Sequence, residues 1–483
     1  MSGPLLCRLR RTALGALPAL LLASCASVPS IAPGPNLIAP EGLAASQMLA
    51  ASPADWPKDR WWERYGDAQL DGLIDEGLRQ SPSLEIAAAR VRRAEALADQ
   101  TRAQDAPQVT LGGSIGENKA SYWNGAPFAG VPKGINEAAS LRASLDWNLD
   151  FFGRNRAALA ASLSAAEAAR ADAAQARLVL TTAIAAGYAD LLGQMRDVDV
   201  AEDSLRVRER SAELVSRRRT QGLETLASEA QAQSGVDSAQ QALVAANEEA
   251  SLTRLRLAAL LGGGPDRALT IVRPADPRLA AFGLPENLPA DLIGRRPDVR
   301  AARLRVEARA AQVKVARAGF YPSINLAGFI GPQVLGLGQF FNAQSIAGSI
   351  GPAISLPLFR GGALSAGLKG SRADYDEAVA SYNDALVHAL QDVAMVATSE
   401  RALSEELVHA RSAEGHADVA YKAATARYRG GLLSYIAVLS AENTLIAARR
   451  AVSHLETRRF ALDVALVRAL GGGAPALPST KKN

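Results

Sequence analysis

The sequence predicts a mainly helical, internally duplicated chain whose protomer contributes four strands to a membrane β-barrel. Three observations support this fold class. No proline occurs between residues 153 and 222 or between 359 and 471. Four short stretches alternate between apolar and polar residues, and certain prolines and glycines recur at constant spacing along the chain. Uninterrupted helical patterns and period-two strands bury different kinds of surface, so we expect one part made of long helices and another made of sheet.

The duplication is marked by prolines and glycines that hold two constant offsets. Two proline pairs are 215 residues apart (297 − 82 and 322 − 107), and two glycine pairs are 209 residues apart (431 − 222 and 471 − 262). The six-residue difference must lie between Pro107 and Gly222 in the first repeat and between Pro322 and Gly431 in the second. Four markers on two offsets predict two copies of a helix, strand, strand, helix, helix unit.

The N-terminus has the composition of a secretory signal peptide. Three arginines within the first eleven residues precede an apolar stretch, and Leu22-Ala23-Ser24-Cys25 ends it with small residues before a cysteine. This ending resembles a bacterial lipobox, which implies a covalent lipid on Cys25; an ordinary signal with an incidental cysteine is the alternative. Each buried lipid CH₂ contributes about 0.8 kcal/mol, so several acyl chains anchor a protein firmly. Ala26, rather than aspartate, follows and implies the outer membrane.

The mature chain has no thiol pair and almost no net charge. Cys7 lies in the segment that is removed, which leaves Cys25 alone and excludes a disulfide or a cysteine metal site. Residues 1–24 carry three positive and no negative charges, so their removal lowers the formal net charge from +4 to +1. The high pI therefore does not indicate a nucleic-acid partner, and no later apolar run is uninterrupted for the length of a transmembrane helix.

Changes in composition divide the chain. The predicted segments are the signal peptide 1–24, a lipidated N-terminal tether and wrap 25–60, a first repeat 61–264, a linker 265–284, a second repeat 285–473 and a tail 474–483. The tether is rich in Pro, Ala and Ser, which favours an extended chain. The Trp61-Trp62 pair is expected to anchor this segment by packing, rather than to line an indole ligand site, because large aromatic residues most often serve packing.

The strands indicate the class of function. In residues 140–152 the apolar side chains of Leu141, Leu145, Trp147 and Leu149 alternate with polar ones, and we expect the polar face to line a barrel lumen through Arg142, Asp146, Asn148 and Asp150. The matching strand of the second repeat and a shorter strand in each repeat alternate in the same way. Strands of about ten residues with one apolar face fit outer-membrane barrels. A water-soluble sheet with one buried face also alternates, but the export signal and flanking aromatic residues favour the barrel.

Four strands cannot close a barrel, because known ones need about eight or more, so we expect the protein to oligomerise. The helices are equally informative. Ile184, Tyr188, Leu191, Met195 and Val198 recur at the four-three spacing of a coiled-coil seam. A helix of roughly 65 residues would reach about 100 Å, which is too long for a compact core and fits a tall helical wall.

Three motifs together resemble the TolC-type outer-membrane factor family, in its lipoprotein (NodT-like) branch. They are Trp61-Trp62 with Tyr65-Gly66-Asp67, Leu288-Pro289-Ala290-Asp291-Leu292 followed by Arg295-Arg296-Pro297-Asp298-Val299, and the closing Arg468-Ala469-Leu470-Gly471-Gly472-Gly473. The resemblance implies a homotrimer with a 12-stranded outer-membrane barrel and a 12-helix periplasmic tunnel. It also implies a periplasmic membrane fusion (adaptor) protein and an inner-membrane pump of the resistance-nodulation-division (RND) type as partners. Small molecules would diffuse through this exit duct, and the pump would supply the energy.

The resemblance places the periplasmic tip at the two helix-glycine-helix corners. The residues expected there, in contact with the adaptor, are Gly222, Leu223, Arg427, Tyr428, Gly431 and Leu432. Family members often carry Leu-Asp-Ala-Gln-Arg beyond the second corner, where the aspartate narrows the entrance. This chain has Ser440 and Asn443 at the aspartate and arginine positions, which predicts a weakly latched entrance. Glu224 and Glu442 are further gate candidates, although exposed helix-face carboxylates are the more ordinary interpretation.

The sequence argues against an enzyme and a cofactor. No nucleophile elbow or P-loop is present, and the four histidines lack metal-ligand spacing; His409 and His416 share a helix face but are expected to be solvated. The only cofactor-like group expected is the covalent lipid on Cys25. Two other functions stay open at this point: the exit duct of a protein-secretion system, and a structural periplasmic coiled-coil lipoprotein without a pore, which the amphipathic strands disfavour.

Overall fold

A computed structural model of the chain describes residues 30, 33–39, 43, 47–119, 134–285 and 288–473. The signal peptide 1–24, Cys25 and the tail 474–483 lie outside the described residues, as do residues 26–29, 31–32, 40–42 and 44–46 of the tether. The chain forms two compact units. The first consists of residues 1–37, 91–169 and 302–382, and the second of residues 38–90, 170–301 and 383–483. Each unit therefore contains segments of both repeats.

Eight α-helices and four strands are formed in the described residues. In chain order they are α1 (Ala68–Gln80), α2 (Pro82–Ala103), β1 (Gln108–Asn118), β2 (Asn136–Leu149), α3 (Arg154–Thr220), α4 (Leu226–Leu260), α5 (Leu288–Arg295), α6 (Pro297–Ala318), β3 (Ser323–Leu335), β4 (Ile346–Ser355), α7 (Ala363–Arg429) and α8 (Tyr435–Leu470). Short 3₁₀ helices cover Trp61–Tyr65 and Pro265–Thr270. The predicted helix, strand, strand, helix, helix order is confirmed in both repeats, each with one short helix in front of it.

The lengths of the helices confirm the duplication. α2 and α6 both have 22 residues and begin at Pro82 and Pro297. α3 and α7 both have 67 residues. Because α2 and α6 follow the first offset and α3 and α7 follow the second, the six-residue difference lies between the start of the first strand of each repeat and the start of its long helix. The difference therefore belongs to the strands and their connections, not to the helices.

The tryptophan pair packs in the core of the second unit. Trp61 and Trp62 are buried and meet edge to face with ring centroids 5.6 Å apart. Tyr65 lies edge to face with Phe460, at 4.8 Å. Such aromatic pairs contribute about 0.5–1.5 kcal/mol beyond the area they bury. The prediction that this pair serves as a packing anchor is confirmed.

The heptad residues of α3 lie in the same core. Ile184, Tyr188 and Leu191 are at most 1% exposed, and Met195 packs against them. The Tyr188 hydroxyl donates a 2.6 Å hydrogen bond to Asp67, whose carboxylate, as the N-cap of α1, also accepts from the backbone amides of Gln69 and Leu70. Among the described helices, α3 contains an 18-residue stretch that is as apolar as a membrane-spanning helix. However, 56% of that stretch is buried within the protomer, as in an ordinary core helix.

Arg296 of the arginine-proline motif joins three helices of the second unit. The residue is 7% exposed. Its guanidinium donates to Asp298 Oδ2 (2.7 Å), to Asp392 Oδ2 of α7 (2.9 Å) and to the carbonyl of Ala469 in α8 (3.2 Å). Burial lowers the pKa of this guanidinium, but the hydrogen bonds and charges of Asp298 and Asp392 outweigh it and raise the pKa overall. The motif thus fixes the start of α6 through a buried cation whose three nitrogens each donate a hydrogen bond.

The first unit contains one antiparallel sheet with the strand order β1-β2-β3-β4. Its register pairs Leu111 with Ala143 across β1 and β2, Asp146 with Ala327 across β2 and β3, and Ala327 with Gly351 across β3 and β4. Each strand therefore pairs with its neighbour in the chain, and β1 and β4 are the edges. The sheet does not close on itself within the described chain.

Candidate functional site

The register gives the sheet one polar face. Arg142, Asp146 and Asn148 of β2 lie on this face, since strand residues two apart face the same side. The register adds Gln108, Thr110, Gly112 and Ser114 of β1 and Asn325, Ala327 and Gln333 of β3. Three of the four predicted lumen residues therefore lie together on one polar surface.

Asp150 is an exception to that prediction. β2 ends at Leu149, and the Asp150 carboxylate accepts a 3.0 Å hydrogen bond from the Arg156 amide and a 3.2 Å bond from Arg156 Nε in the first turn of α3. Its side chain is 10% exposed. The carboxylate is held at the junction of β2 and α3, because a carboxylate just before a helix binds the unpaired amides of the first turn.

The opposite face of the sheet is apolar, and over much of β1 and β4 no other described residue covers it. Val109, Leu111 and Ile115 of β1 are 72%, 68% and 74% exposed, and Ile350 and Ile354 of β4 are 70% and 69% exposed. Soluble monomers rarely expose a contiguous apolar surface of this kind, whereas membrane and protein interfaces do. The face therefore requires lipid or another chain against it.

Aromatic side chains gather where the strands meet the helices. Phe152 and Tyr321 stack with ring centroids 5.2 Å apart, and Phe359 is 89% exposed. The Trp147 indole donates a 3.0 Å hydrogen bond to the carbonyl of Asp105. Amphipathic aromatic residues at the ends of apolar strands are typical of the girdles of membrane barrels.

Two glycines end the long helices with the same hydrogen-bond pattern. Gly222 and Gly431 have φ of 76° and 74°, the left-handed conformation that glycine adopts at no steric cost. The amide of Leu223 donates to the carbonyl of Arg218 and that of Leu432 to Arg427, both at 2.9 Å, which completes a Schellman motif at each corner. Leu223 and Leu432 are 60% and 74% exposed. Each corner therefore presents an apolar side chain.

Tyr428 joins the two corners from inside. It is 2% exposed, and its hydroxyl donates a 2.9 Å hydrogen bond to Glu224 Oε1. Arg218 lies over the ring at 4.9 Å and donates a 3.4 Å hydrogen bond to the Tyr428 carbonyl. Burial, followed by the neighbouring Glu224 carboxylate, raises the pKa of Tyr428, so the hydroxyl keeps its proton. Glu224 is thus engaged and 13% exposed, which corrects its interpretation as a solvated helix-face carboxylate.

Glu442 is the second carboxylate whose interpretation as an exposed residue is wrong. It is 1% exposed, and neither of its carboxylate oxygens has a hydrogen-bond partner among the described residues; Arg208 Nε lies 3.4 Å away. Burial raises the pKa of Glu442 while the charge of Arg208 lowers it, and the net direction is up. The residue borders a cavity of about 210 Å³ between α3, α7 and α8.

The other two gate candidates face solvent. Ser440 is exposed, as is Asn443, whose Oδ1 accepts a 2.6 Å hydrogen bond from Arg208 Nη2. Arg208 therefore contacts both Glu442 and Asn443. Sequence analysis missed Arg208 and Arg218, although Arg218 occupies the position of Arg427 in the 209-residue register and could have been found from it.

The histidines and acidic residues form no metal site in the part of the chain that is described. No group of three or more His, Cys, Asp or Glu side chains there has the arrangement of a metal centre, and His409 and His416 are exposed. Surface placement fits solvated polar residues.

Known proteins resemble the chain along nearly its full length. Residues 73–263 and 288–472 match the family of outer membrane efflux proteins. The multidrug resistance outer membrane protein MdtP of Escherichia coli strain K12 is 30% identical over 471 residues, 96% of each chain. The fusaric acid resistance protein FusA of Burkholderia cepacia is 33% identical over 365 residues, 73% of this chain and 68% of FusA. The crystal structure of the outer membrane protein VceC from Vibrio cholerae has a TM-score of 0.82 and 42% identity, covering 86% of this chain and 100% of VceC.

Proposed function

Because this chain belongs to the outer membrane efflux protein family, and is therefore an outer-membrane exit duct for efflux pumps, we propose that it works as a homotrimer within a tripartite pump. The family and fold are those of channel proteins, not enzymes. Three protomers of four strands each give a 12-stranded barrel, which is above the minimum of about eight. The long helices of the same three chains form the wall of a periplasmic tunnel.

The single observation that carries this proposal is the incomplete sheet. Its apolar face is exposed across β1 and β4, and both edge strands leave their outer hydrogen-bonding groups unpaired by any described strand. A lipid bilayer tolerates strands only when every backbone group is paired, so open edges must be closed by further copies. Three-fold association pairs β4 of one chain with β1 of the next and turns the apolar face to lipid.

The two corners are proposed as the docking surface for a periplasmic adaptor protein. Gly222, Leu223, Arg427, Gly431 and Leu432 are all exposed there. Apolar side chains next to a cation suit a partner that offers apolar and acidic groups. The sixth predicted tip residue, Tyr428, is buried and supports the surface through Glu224. The adaptor in turn couples the duct to an inner-membrane RND pump.

The entrance is proposed to be weakly latched. Ser440 and Asn443 carry no charge, and Asn443 is bonded to Arg208 of the same protomer. Glu442 is buried, so it contributes no exposed acidic group to an entrance. Among the described residues, the corners are joined by the hydrogen bond from Tyr428 to Glu224 and by the contacts of Arg218 with the Tyr428 carbonyl and ring. A single hydrogen bond to a charged group contributes only about 1.5–3 kcal/mol.

Small molecules are the proposed cargo. MdtP is named for multidrug resistance and FusA for resistance to fusaric acid. By this likeness the duct conducts drug-sized solutes, which include organic acids, through a water-filled lumen lined by the polar face of the sheet. Cys25 is proposed to be lipidated, so that the chain is both anchored to and inserted in the outer membrane.

Electron microscopy of the detergent-solubilised protein from outer membranes tests this proposal. We expect three-fold particles with a barrel, and stepwise ion conductance when the same preparation enters planar bilayers. Monomers, or particles without a barrel, would overturn the trimeric duct. Deletion of the gene should also sensitise cells to small toxic compounds; a defect in protein export without such sensitivity would favour the protein-secretion alternative.

A further inference from the structure

The polar face of the sheet carries two charges in its described strands. Arg142 and Asp146, both on β2, are the charged residues there; the other charged strand residues, Glu117 and Glu137, lie on the opposite face, where the register pairs them with each other. No acidic side chain among the described residues pairs with Arg142. The guanidinium of Arg142 is exposed, so its charge is available to a solute.

Glycines lie beside Arg142 on both neighbouring strands. Its partner in β1 is Gly112, and a Cβ built there would meet no atom within 4 Å. On the β3 side lies Gly331, where a Cβ would come within 1.9 Å of the Leu141 carbonyl oxygen and 3.1 Å of the Arg142 Cα. The positions directly across from Arg142 on β1 and β3 therefore carry no side chain that could crowd the guanidinium.

One aromatic ring holds the guanidinium in place. Phe329 pairs with Ser144 on β2 and Ser349 on β4, so it belongs to the polar face. The Arg142 Cζ lies 4.2 Å from its ring centroid. A large apolar residue among serines contradicts the alternation of this strand, and the contact with Arg142 explains it. Arginine favours such stacked positions because its planar cation is weakly hydrated and keeps its in-plane N–H donors free.

We propose that Arg142 and Phe329 form a binding site for organic anions that carry an apolar ring, on the path of solutes through the barrel. This inference rests on the proposed function, which makes the polar face the lumen surface. The free N–H groups of Arg142 bind the carboxylate, as guanidinium forks do, and the exposed part of Phe329 contacts the ring. Asp146, four residues along the strand, disfavours a second anion next to it.

Relative permeabilities in planar bilayers test the site. The unaltered protein and four variants are compared with potassium chloride, acetate and benzoate as the electrolytes, and reversal potentials give the anion permeability relative to potassium. We expect Arg142→Gln to lower the permeability to all three anions, and Asp146→Asn to raise it. Arg142→Lys should keep the chloride value but lose the preference for benzoate over acetate. Phe329→Leu should reduce that preference by about two- to fivefold, the strength of an exposed cation–π contact.

A direct binding measurement separates this site from the duct itself. Saturation-transfer NMR with benzoate and the detergent-solubilised protein does not depend on an open pore; the signal should fall in Arg142→Gln and Phe329→Leu and persist in Asp146→Asn. Conductance of the unaltered protein tests the duct, whereas the differences between variants test the site. Equal benzoate preference and equal NMR signal in all variants would overturn the site while leaving the duct intact. Loss of preference in Arg142→Gln alone would show a general charge effect and would also overturn it.

Discussion

The hydroxyl of Tyr428, in the last turn of α7, donates a hydrogen bond of 2.9 Å to the Glu224 carboxylate that follows the corner after α3. The two residues belong to different repeats, so this bond connects the two helical corners of one protomer. Arg218 completes the contact from α3 by lying over the tyrosine ring. The duplicated corners carry different side chains at the two bonded positions, since in the 209-residue register Tyr428 matches Arg219 and Glu224 matches Leu433.

Replacing Tyr428 with phenylalanine should loosen the corners. The change removes a hydrogen bond to a charged group, worth about 1.5–3 kcal/mol, while the ring and its packing stay. We expect a larger mean conductance and more frequent opening in planar bilayers. Tyr435→Phe is the control, since its ring packs in the same cluster, 5.9 Å from that of Tyr428. Equal conductance of both variants would contradict a latch at Tyr428.

Glu442→Gln should stabilise the protein in a pH-dependent way. Burial raises the pKa of Glu442, so the folded protein binds the proton more tightly than the unfolded chain, and stability falls as pH rises above the ordinary range of a glutamate. The charge of Arg208 offsets part of this penalty. We expect a higher melting temperature than the wild type at about pH 7.5 and little difference at about pH 4.

The control for Glu442 is Glu213→Gln, which alters a carboxylate whose side chain is 62% exposed. Its melting temperature should follow that of the wild type at both pH values, because exposed ion pairs contribute about 0–1 kcal/mol. An increase for Glu442→Gln that is the same at both pH values would show that the amide packs better, and would refute the assignment to charge burial.

Arg296→Gln should lower stability by about 2–3 kcal/mol. Breaking a buried ion pair generally costs about 3–5 kcal/mol. We expect a smaller loss here because the side chains of Asp298 and Asp392 are 31% and 44% exposed, so water can solvate them once the arginine is gone. The neighbouring Arg295→Gln is the matched control. It removes a cation 4.5 Å from the Trp56 ring and should cost about 0.5–1 kcal/mol. Chemical denaturation of both variants measures the difference.

Gly222→Ala should cost about 1–2 kcal/mol through backbone strain alone. The residue has φ of 76°, and a Cβ there would meet no atom within 4 Å. Gly222→Asn should recover part of the loss, because asparagine tolerates this conformation. Gly262→Ala should cost clearly more, since its Cβ would also lie 2.6 Å from the Gln80 carbonyl oxygen. Equal losses at the two glycines would argue against the open geometry of the Gly222 corner.

Cys25→Ser should abolish lipid attachment. Mass spectrometry of the mature N-terminus and labelling with palmitate would detect the difference, and we expect the wild type alone to carry label. The variant should still reach the outer membrane as a barrel when it is exported, because insertion depends on the apolar face of the strands. Label on both proteins would show that Cys25 is not the acceptor.

The repeat, the strands and the long helices could be predicted because their signals are local. Pro82 and Pro297 begin helices of equal length, and Leu141, Leu145 and Leu149 alternate with polar neighbours, so short windows of sequence define both elements. The placement of Trp61 and Trp62 in the core followed from their size. In each case a residue's own type and spacing determine its environment.

Burial of charges could not be predicted in this way. Glu442 lies on a helix whose spacing does not reveal that Arg208, 234 residues earlier (442 − 208), would approach it. Asp150 continues the alternation of β2, yet the free amides of α3 hold it instead. Phe329 interrupts the polar pattern of β3 and is explained only by the cross-strand position of Arg142. Long-range partners decide these environments, and a single sequence does not contain them.

The equal length of α3 and α7 has a consequence for anyone who wishes to engineer this molecule. Each residue turns an α-helix by about 100°, so one inserted residue in either 67-residue helix would rotate every later side chain away from its neighbours and put the repeats out of phase. An insertion into the connection between β3 and β4 would not rotate a long helix in this way, and Phe341 within that connection is 97% exposed. Epitopes and fluorophores belong there, whereas the helices must be edited in whole turns or not at all.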